Sequence, residues 1–301
     1  MLAGGVLACH GKGCNITLSD VKFNGCALVA TAGATVSLTS CSFTRDKGGV
    51  SAVASGQGTT VFMRDVTLRG GELGVAAMQE GSLKASQLHL KRVTSGVDVS
   101  DKLSTVELDD CVFGDISSGS LQESVAPDST ACIHKGEGVA VRNSSTAILK
   151  NVAISNVHRG VMVASDATAT LSGCTVGRSD RCVWVSTHGT CDLQDCTLAG
   201  ALVGVSVHGA SSVEARGCRI QRHMTAGVKV VKDGRCGHHI ACCTCMCAAP
   251  ALIWTVTIRQ DPQQRQYQVD TSFSSRCRGR CTAHSHRCAM VSELIIIVQH
   301  R

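Results

Sequence analysis

An all-β fold, a right-handed parallel β-helix solenoid of about nine to ten coils of ~22 residues followed by an irregular Cys/His/Arg-rich C-terminal tail, is what three features of this sequence predict. An apolar frame spaced V-x-L-x-x-C-x-F returns nine times, beginning at Ile16, Val36, Val61, Leu83, Val106, Ala147, Ala169, Cys191 and Val213, and the last three steps are 22 residues each. Inside each unit apolar and polar residues alternate with period two, the mark of short strands with one buried face. A two-residue bend rich in Gly, Asp and Asn follows the first strand of most units.

Each repeat holds three such strands. In the unit from Ala169 their buried pairs are Ala169/Leu171, Cys174/Val176 and, after a six-residue loop, Val183/Val185. The same pairs recur as Cys191/Leu193, Cys196/Leu198 and Val205/Val207, and earlier as Val61/Met63, Val66/Leu68 and Val75/Ala77. No helix of useful length fits between them. Strands that stack on their equivalents one repeat away form a parallel β-helix, and the usual hand of parallel crossovers makes it right-handed; the hexapeptide rhythm of left-handed solenoids is absent.

The bend between the first two strands needs one residue near the left-handed region, where ordinary side chains are strained. The second bend residue is Asp20, Ser40, Asp65, Gln87, Asp110, Asn151, Gly173, Asp195 and Gly217 in turn, so seven of nine are Gly, Asn or Asp. A glycine precedes the third strand at Gly49, Gly74, Gly96, Gly138, Gly160, Gly204 and Gly227. An aromatic content of 3% suits a narrow interior of Val, Leu, Ala and Cys. Cys41, Cys111, Cys174, Cys196 and Cys218 share one inward position with Val21, Val66, Leu88 and Val152, which reads as a ladder of small hydrophobes. A disulfide between vertical neighbours such as Cys174 and Cys196 is the alternative, although side chains in parallel register meet poorly for one. The cysteines therefore leave the redox compartment, and with it the localisation, open.

Residues 1–234 form the expected repeat domain, and the rhythm stops abruptly after them. The last 67 residues hold eight of the 19 Cys, eight Arg, no Lys and two of the 31 Gly. They carry most of the net charge of +6, since the first 234 residues have 21 basic and 20 acidic groups and the tail has eight and three. The balance of the solenoid itself therefore argues against a nucleic-acid partner. In the tail His238, His239, Cys242, Cys243, Cys245 and Cys247 lie close together and offer soft donors of the kind zinc or copper takes, but their spacing matches no paired C-x-x-C framework. The simultaneous loss of glycine, lysine and periodicity reads residues 235–301 as disordered or as a wrongly predicted gene end. At the other end "GGVLA" has the pattern of a third strand, so the repeat domain is expected to lack its N-terminal cap. No apolar run reaches the length of a membrane span, and no cofactor is implied.

The repeats, typified by "ATLSGCTVGRSDRCVWVSTHGTCDLQDCTLAGALVGVSVHGASSVEARGCRI", resemble the right-handed β-helix repeats of the pectin-lyase-like superfamily, in particular the Cys-bearing repeats of uncharacterised algal and protist β-helix proteins. The resemblance covers roughly residues 4–233. It speaks for fold and hardly for function, because that superfamily includes lyases, hydrolases, epimerases and non-catalytic scaffolds.

In the enzymes of that superfamily the active groove follows the strand that reads V-x-V here, which directs attention to its outward residues: Ser51, Ala76, Asp98, Ala140, Met162, Trp184, Ser206 and Lys229. A glycosidase needs two carboxylates about 5 to 9.5 Å apart, and this face offers one. Asp109-Asp110 is a paired acid, but at the bend, where it forms the turn. The loop before the V-x-V strand expands in one repeat to Gly114–Gly138, bringing Asp115, Glu123, Asp128, His134 and Glu137; long insertions in solenoids often form lids or binding edges. Elsewhere these loops carry Arg45, Lys47, Arg69, Lys91, Arg92, His158, Arg159, Arg178, Arg181, Arg222 and His223. Stacked on one edge they would make a basic ridge beside Trp184, suited to an acidic polysaccharide; solvated charges protecting loop edges are the plainer reading. The sequence thus points to a non-catalytic scaffold or interaction module, with Arg45, Arg69, Arg92, Arg159, Arg178, Arg181, Trp184 and Arg222 as candidate binding residues. The alternatives are a polysaccharide lyase, hydrolase or epimerase with its catalytic residues on the 114–138 insertion, and an adaptor for a protein partner.

Overall fold

The computed structural model describes residues 1–46, 48–116 and 136–231, and beyond them the backbone of four strands: Cys243–Thr244, Ile253–Gln260, Tyr267–Ser274 and Ile296–Gln299. Through Val231 the described chain winds as a parallel solenoid of about nine coils without a helix. The first strands stack residue for residue in the frame read from the sequence: Ile16 on Val36, Val36 on Val61, Val61 on Leu83, and so on to Cys191 on Val213. Second strands pair likewise, Phe23 with Phe43 and Leu198 with Ile220. Third strands pair as Val75 with Val97, Val139 with Val161 and Val183 with Val205. Of the strands beyond, Cys243–Thr244 and Ile296–Gln299 still pair in parallel with the last coil, Cys218 on Cys243 and Val228 on Ile296, whereas Ile253–Gln260 and Tyr267–Ser274 pair antiparallel with each other.

The corner after the first strand has one conformation throughout. All nine of its second residues have positive φ, from Asp20 at 57° to Gly217 at 64°, and Ser40 at 49° and Gln87 at 55° adopt it despite their side chains. For a side chain other than Gly, Asn or Asp this costs roughly 1–2 kcal/mol, and the stack compensates. Corner amides donate to the next coil, Asp20 N to Thr39 O at 3.0 Å and Asn151 N to Ser172 O at 2.9 Å. Corner side chains lean the same way, as when Ser40 Oγ donates to Asp65 Oδ2 at 3.0 Å.

The glycines before the third strand serve a different end. They are a column where a Cβ has no room: one built on Gly74 would lie 2.6 Å from Gly96 O, one on Gly138 2.6 Å from Gly160 O, and one on Gly160 would strike Val176 and the Cys182 carbonyl. In the coil before Gly74 the column is occupied by Ser51 rather than Gly49, a correction to the sequence alignment. Val53, not Ser51, pairs with Ala76, so Ser51 falls opposite Gly74; it is fully buried, and its Oγ has no hydrogen-bond partner.

The interior is a set of stacked ladders, with Phe23 and Phe43 rings parallel at 4.2 Å. Cys41, Cys111, Cys174, Cys196 and Cys218 are buried free thiols in one column, as small core residues and not vertical disulfides. Burial pushes the Cys111 and Cys182 thiols up to about 11, which keeps them protonated and unreactive at neutral pH. Cys9 and Cys14, near the first described strand, form a disulfide.

These close contacts give a paired expectation for unfolding in urea. Gly160→Ala should lower stability by about 3 kcal/mol, the upper part of the overpacking range. Gln87→Asn, which eases the left-handed corner, should raise it by up to about 1 kcal/mol. Both are read as shifts of the urea midpoint.

Candidate functional site

The outer face of the third strands carries the polar chemistry of the described residues. Its central column runs Ala76, Asp98, Ala140, Met162, Trp184, Ser206 and Lys229, one residue per coil. The groove expected there is largely closed. Ala76, Ala140, Met162 and Ser206 are all at most 2% exposed, and longer side chains reach over two of them, Arg159 over Met162 and His208 over Ser206.

The charged and aromatic side chains of this face form one network. Arg142 Nη1 donates to Asp98 Oδ1 at 3.1 Å and its Nη2 to Glu137 Oε2 at 2.7 Å. Arg159 Nη1 donates to Glu137 Oε1 at 3.0 Å and approaches Met162 Sδ at 3.7 Å. The Arg159 guanidinium lies 4.3 Å from the centre of the Trp184 ring, and that of Arg181 lies 5.9 Å from it, distances at which a cation is attracted to the indole face. The ring of His208 meets Trp184 edge-on at 5.9 Å, and its Nε2 is 2.8 Å from Ser206 Oγ. Arg142 Nε, Arg159 Nε and Trp184 Nε1 are buried without hydrogen-bond partners among the described residues, a cost the packing carries.

Two carboxylates therefore face this sheet, Asp98 and Glu137, where the sequence suggested one. Glu137 is 1% exposed, and each of its oxygens accepts from a different arginine. It is a strut between coils and does not face a substrate. Asp98 is more open and, with Glu72, Ser95 and Arg142, lines a cavity of about 360 Å³. Among the described residues no carboxylate is bonded to Arg181; burial first and the Arg159 charge second lower its pKa below the usual arginine value, while Asp180 works the other way. A half-exposed cation destabilised by a like neighbour is a place where an arriving anion gains energy.

The expected basic ridge is not continuous. Arg159 and Arg181 belong to the network above. Arg92, Arg178 and Arg222 are exposed at the second bend with positive φ, but Asp115, Asn156 and Gly200 share their column and interrupt it. Asp115 itself accepts from Asn156 Nδ2 at 3.0 Å. Arg69 is exposed beside Lys91 in the next coil, whereas Arg45 is turned into its own loop, donating to Val50 O at 2.7 Å. His158 is paired with Asp180 at 2.6 Å. His223 is no part of a basic edge: Ala201 N donates to its Nδ1 at 3.3 Å, its Nε2 reaches Leu198 O at 3.1 Å, and burial lowers its pKa.

Glu123, Asp128 and His134 of the insertion lie outside the described residues, as do Lys47 and His238, His239, Cys242, Cys245 and Cys247 of the tail; Cys243 is described in its backbone alone. Among the described residues no group of three or more His, Cys, Asp or Glu is placed to hold a metal ion, and no helix is long and apolar enough to cross a membrane.

The family model described as "Right handed beta helix region" matches residues 123–244. With the coils stacked in parallel as above, the match settles the architecture. Through Val231 the described residues are a right-handed parallel β-helix. No curated protein matches it. The matched stretch contains Glu137, Arg142, Arg159, Arg181, Trp184 and His208, and a shared coil by itself implies no role for them.

The buried His223 gives the β-helix a pH dependence of stability with a definite sign. In the unfolded chain a histidine takes up a proton near pH 6.5, which folded His223 takes up only at lower pH. Its contribution is therefore complete above about pH 6.5 and is lost as the pH falls toward the lowered folded value. Replacing it, as in His223→Gln, should flatten the fall of the urea midpoint across that interval.

Proposed function

We propose that this β-helix is a non-catalytic scaffold that binds an acidic polysaccharide through the platform of Arg159, Trp184 and Arg181. The observation that carries the reading is the way the charges on the third-strand face are used. Glu137 is consumed between Arg142 and Arg159, while Arg181 and the indole remain open to solvent in part. An indole with a guanidinium on it presents a flat apolar surface and a positive charge together, which suits a sugar ring bearing a carboxylate. Arg178 and Arg222, exposed on the neighbouring bend, extend the positive field along the coil axis and support a polymeric ligand over a single sugar.

The test is retention of the full chain on immobilised polygalacturonate, with uncharged dextran as the control and release of new chain ends assayed in parallel. Retention on the acidic polymer alone, weakened by salt and reduced roughly tenfold by Trp184→Ala, is the expected result. Equal retention on dextran would remove the acidic specificity. Release of chain ends that stops in Asp98→Asn would replace the scaffold with an enzyme.

A further inference from the structure

The outer face of the first strands bears no counterpart of that network, yet its residues follow an order with a consequence. From four consecutive coils, Phe62, Lys84, Glu107 and Ile148 stack in one outward column. Phe62 and Ile148 are 41% and 36% exposed, and Lys84 Nζ lies 2.9 Å from Glu107 Oε1 with both side chains about half in solvent. Apolar, basic, acidic, apolar is a sequence that complements its own reverse.

We propose that this face is a homodimer interface, isologous about a two-fold axis lying parallel to the strands between the coils of Lys84 and Glu107. Such an axis turns one copy face-down on the other, reverses the order of the coils and keeps the column in place. Phe62 then meets Ile148 of the second copy, and Lys84 meets its Glu107. Because an isologous contact occurs twice, the ion pair within each chain becomes a ring of four charges alternating in sign. A depression of about 520 Å³ over these coils, lined by Lys84 and Glu107, leaves room for the long side chains to interleave.

The flanking columns are compatible. On one side Thr60, Ser82, Thr105 and Thr146 would meet their own column, hydroxyl to hydroxyl, and they already bond along it, Thr105 Oγ1 to Ser82 Oγ at 3.0 Å. On the other side Arg64 comes opposite Lys150 of the second copy, and Asp109 of that copy, one coil away, is in reach of both. With the axis at this place about eight coils overlap. At five residues of strand and about 4.8 Å per coil they cover about 650 Å² on each copy, or about 1,300 Å² in total, inside the range of specific interfaces.

Sedimentation velocity of the full chain tests this, with Lys84→Glu and Glu107→Lys as the decisive variants. Each variant alone places like charges across the axis and should weaken dimerisation at least roughly tenfold. Mixed in equal amounts the two should form a heterodimer, since the glutamate introduced in one chain then faces the lysine introduced in the other, although neither chain regains its internal pair. Ile148→Asp should also yield monomer, with an unchanged urea midpoint as the check on folding. A chain that is monomeric at about 100 µM, a dimer indifferent to these changes, or single variants that stay monomeric when mixed would each overturn the proposal.

Discussion

A single left-handed residue, set once per coil at the corner after the first strand, is the constraint on which the rest of the β-helix depends. With two residues to turn the chain, the backbone has almost no choice of path, so every coil leaves the corner in the same direction. The corner amide then bonds to the next coil, and the equivalence of neighbouring coils follows from it. Apolar positions fall on apolar positions, and the interior becomes ladders of like side chains: Cys on Cys, Phe on Phe, Val on Val. Ser40 and Gln87 show the strength of this coupling, since each is held where its own side chain would not choose to be. A single unfavourable residue is outweighed by hydrogen bonds on both sides of it.

The same coupling explains what could be read from the sequence. The corners and inward columns repeat, and a repeated feature is visible in one chain without any relative to compare it with. The first-strand frame from Ile16 to Val213 is reproduced residue for residue by the stacking. Where a loop changes length the reading slipped: the segment between Arg45 and Val50 displaced Ser51 by two residues from its true column. The site was much less legible, for a physical reason. Asp98, Glu137 and Arg142 meet across a long insertion, and their contact depends on side chains folding back over a strand. Neither is periodic. His223 was read by its residue type as a surface base, and only its burial beside Leu198 and Ala201 shows otherwise. Trp184 and Arg159 were both legible as candidates, but not that the Arg159 guanidinium lies on the indole while also holding Glu137.

The two outer faces manage solvent in opposite ways. On the third strands Arg142, Arg159 and Trp184 are tied into one network, and small residues such as Ala140 and Ser206 are interior without a second layer of structure. This network rigidifies the face and leaves specific groups, above all Arg181, at its surface. On the first strands the side chains stand off a flat sheet of Ser, Thr and charged residues, and nothing in the chain's described part folds across Phe62 or Ile148. One face is finished by its own residues. The other has the chemistry of a surface that another surface completes.

On either side of the 117–135 segment the coils keep their stacking. Ile116 stacks on Val157 at its start, and Gly136 at its end sits between coils, its amide on Thr94 O at 2.7 Å and its carbonyl taking the His158 amide at 2.8 Å. Chain entering and leaving at adjacent points of an uninterrupted stack places no demand on the length of what lies between. The solenoid thus has a socket in its side. Sequence at that point is free to diverge, lengthen or be exchanged for a foreign domain while the register of the coils is preserved, so new recognition can be acquired there without renegotiating the fold that carries it.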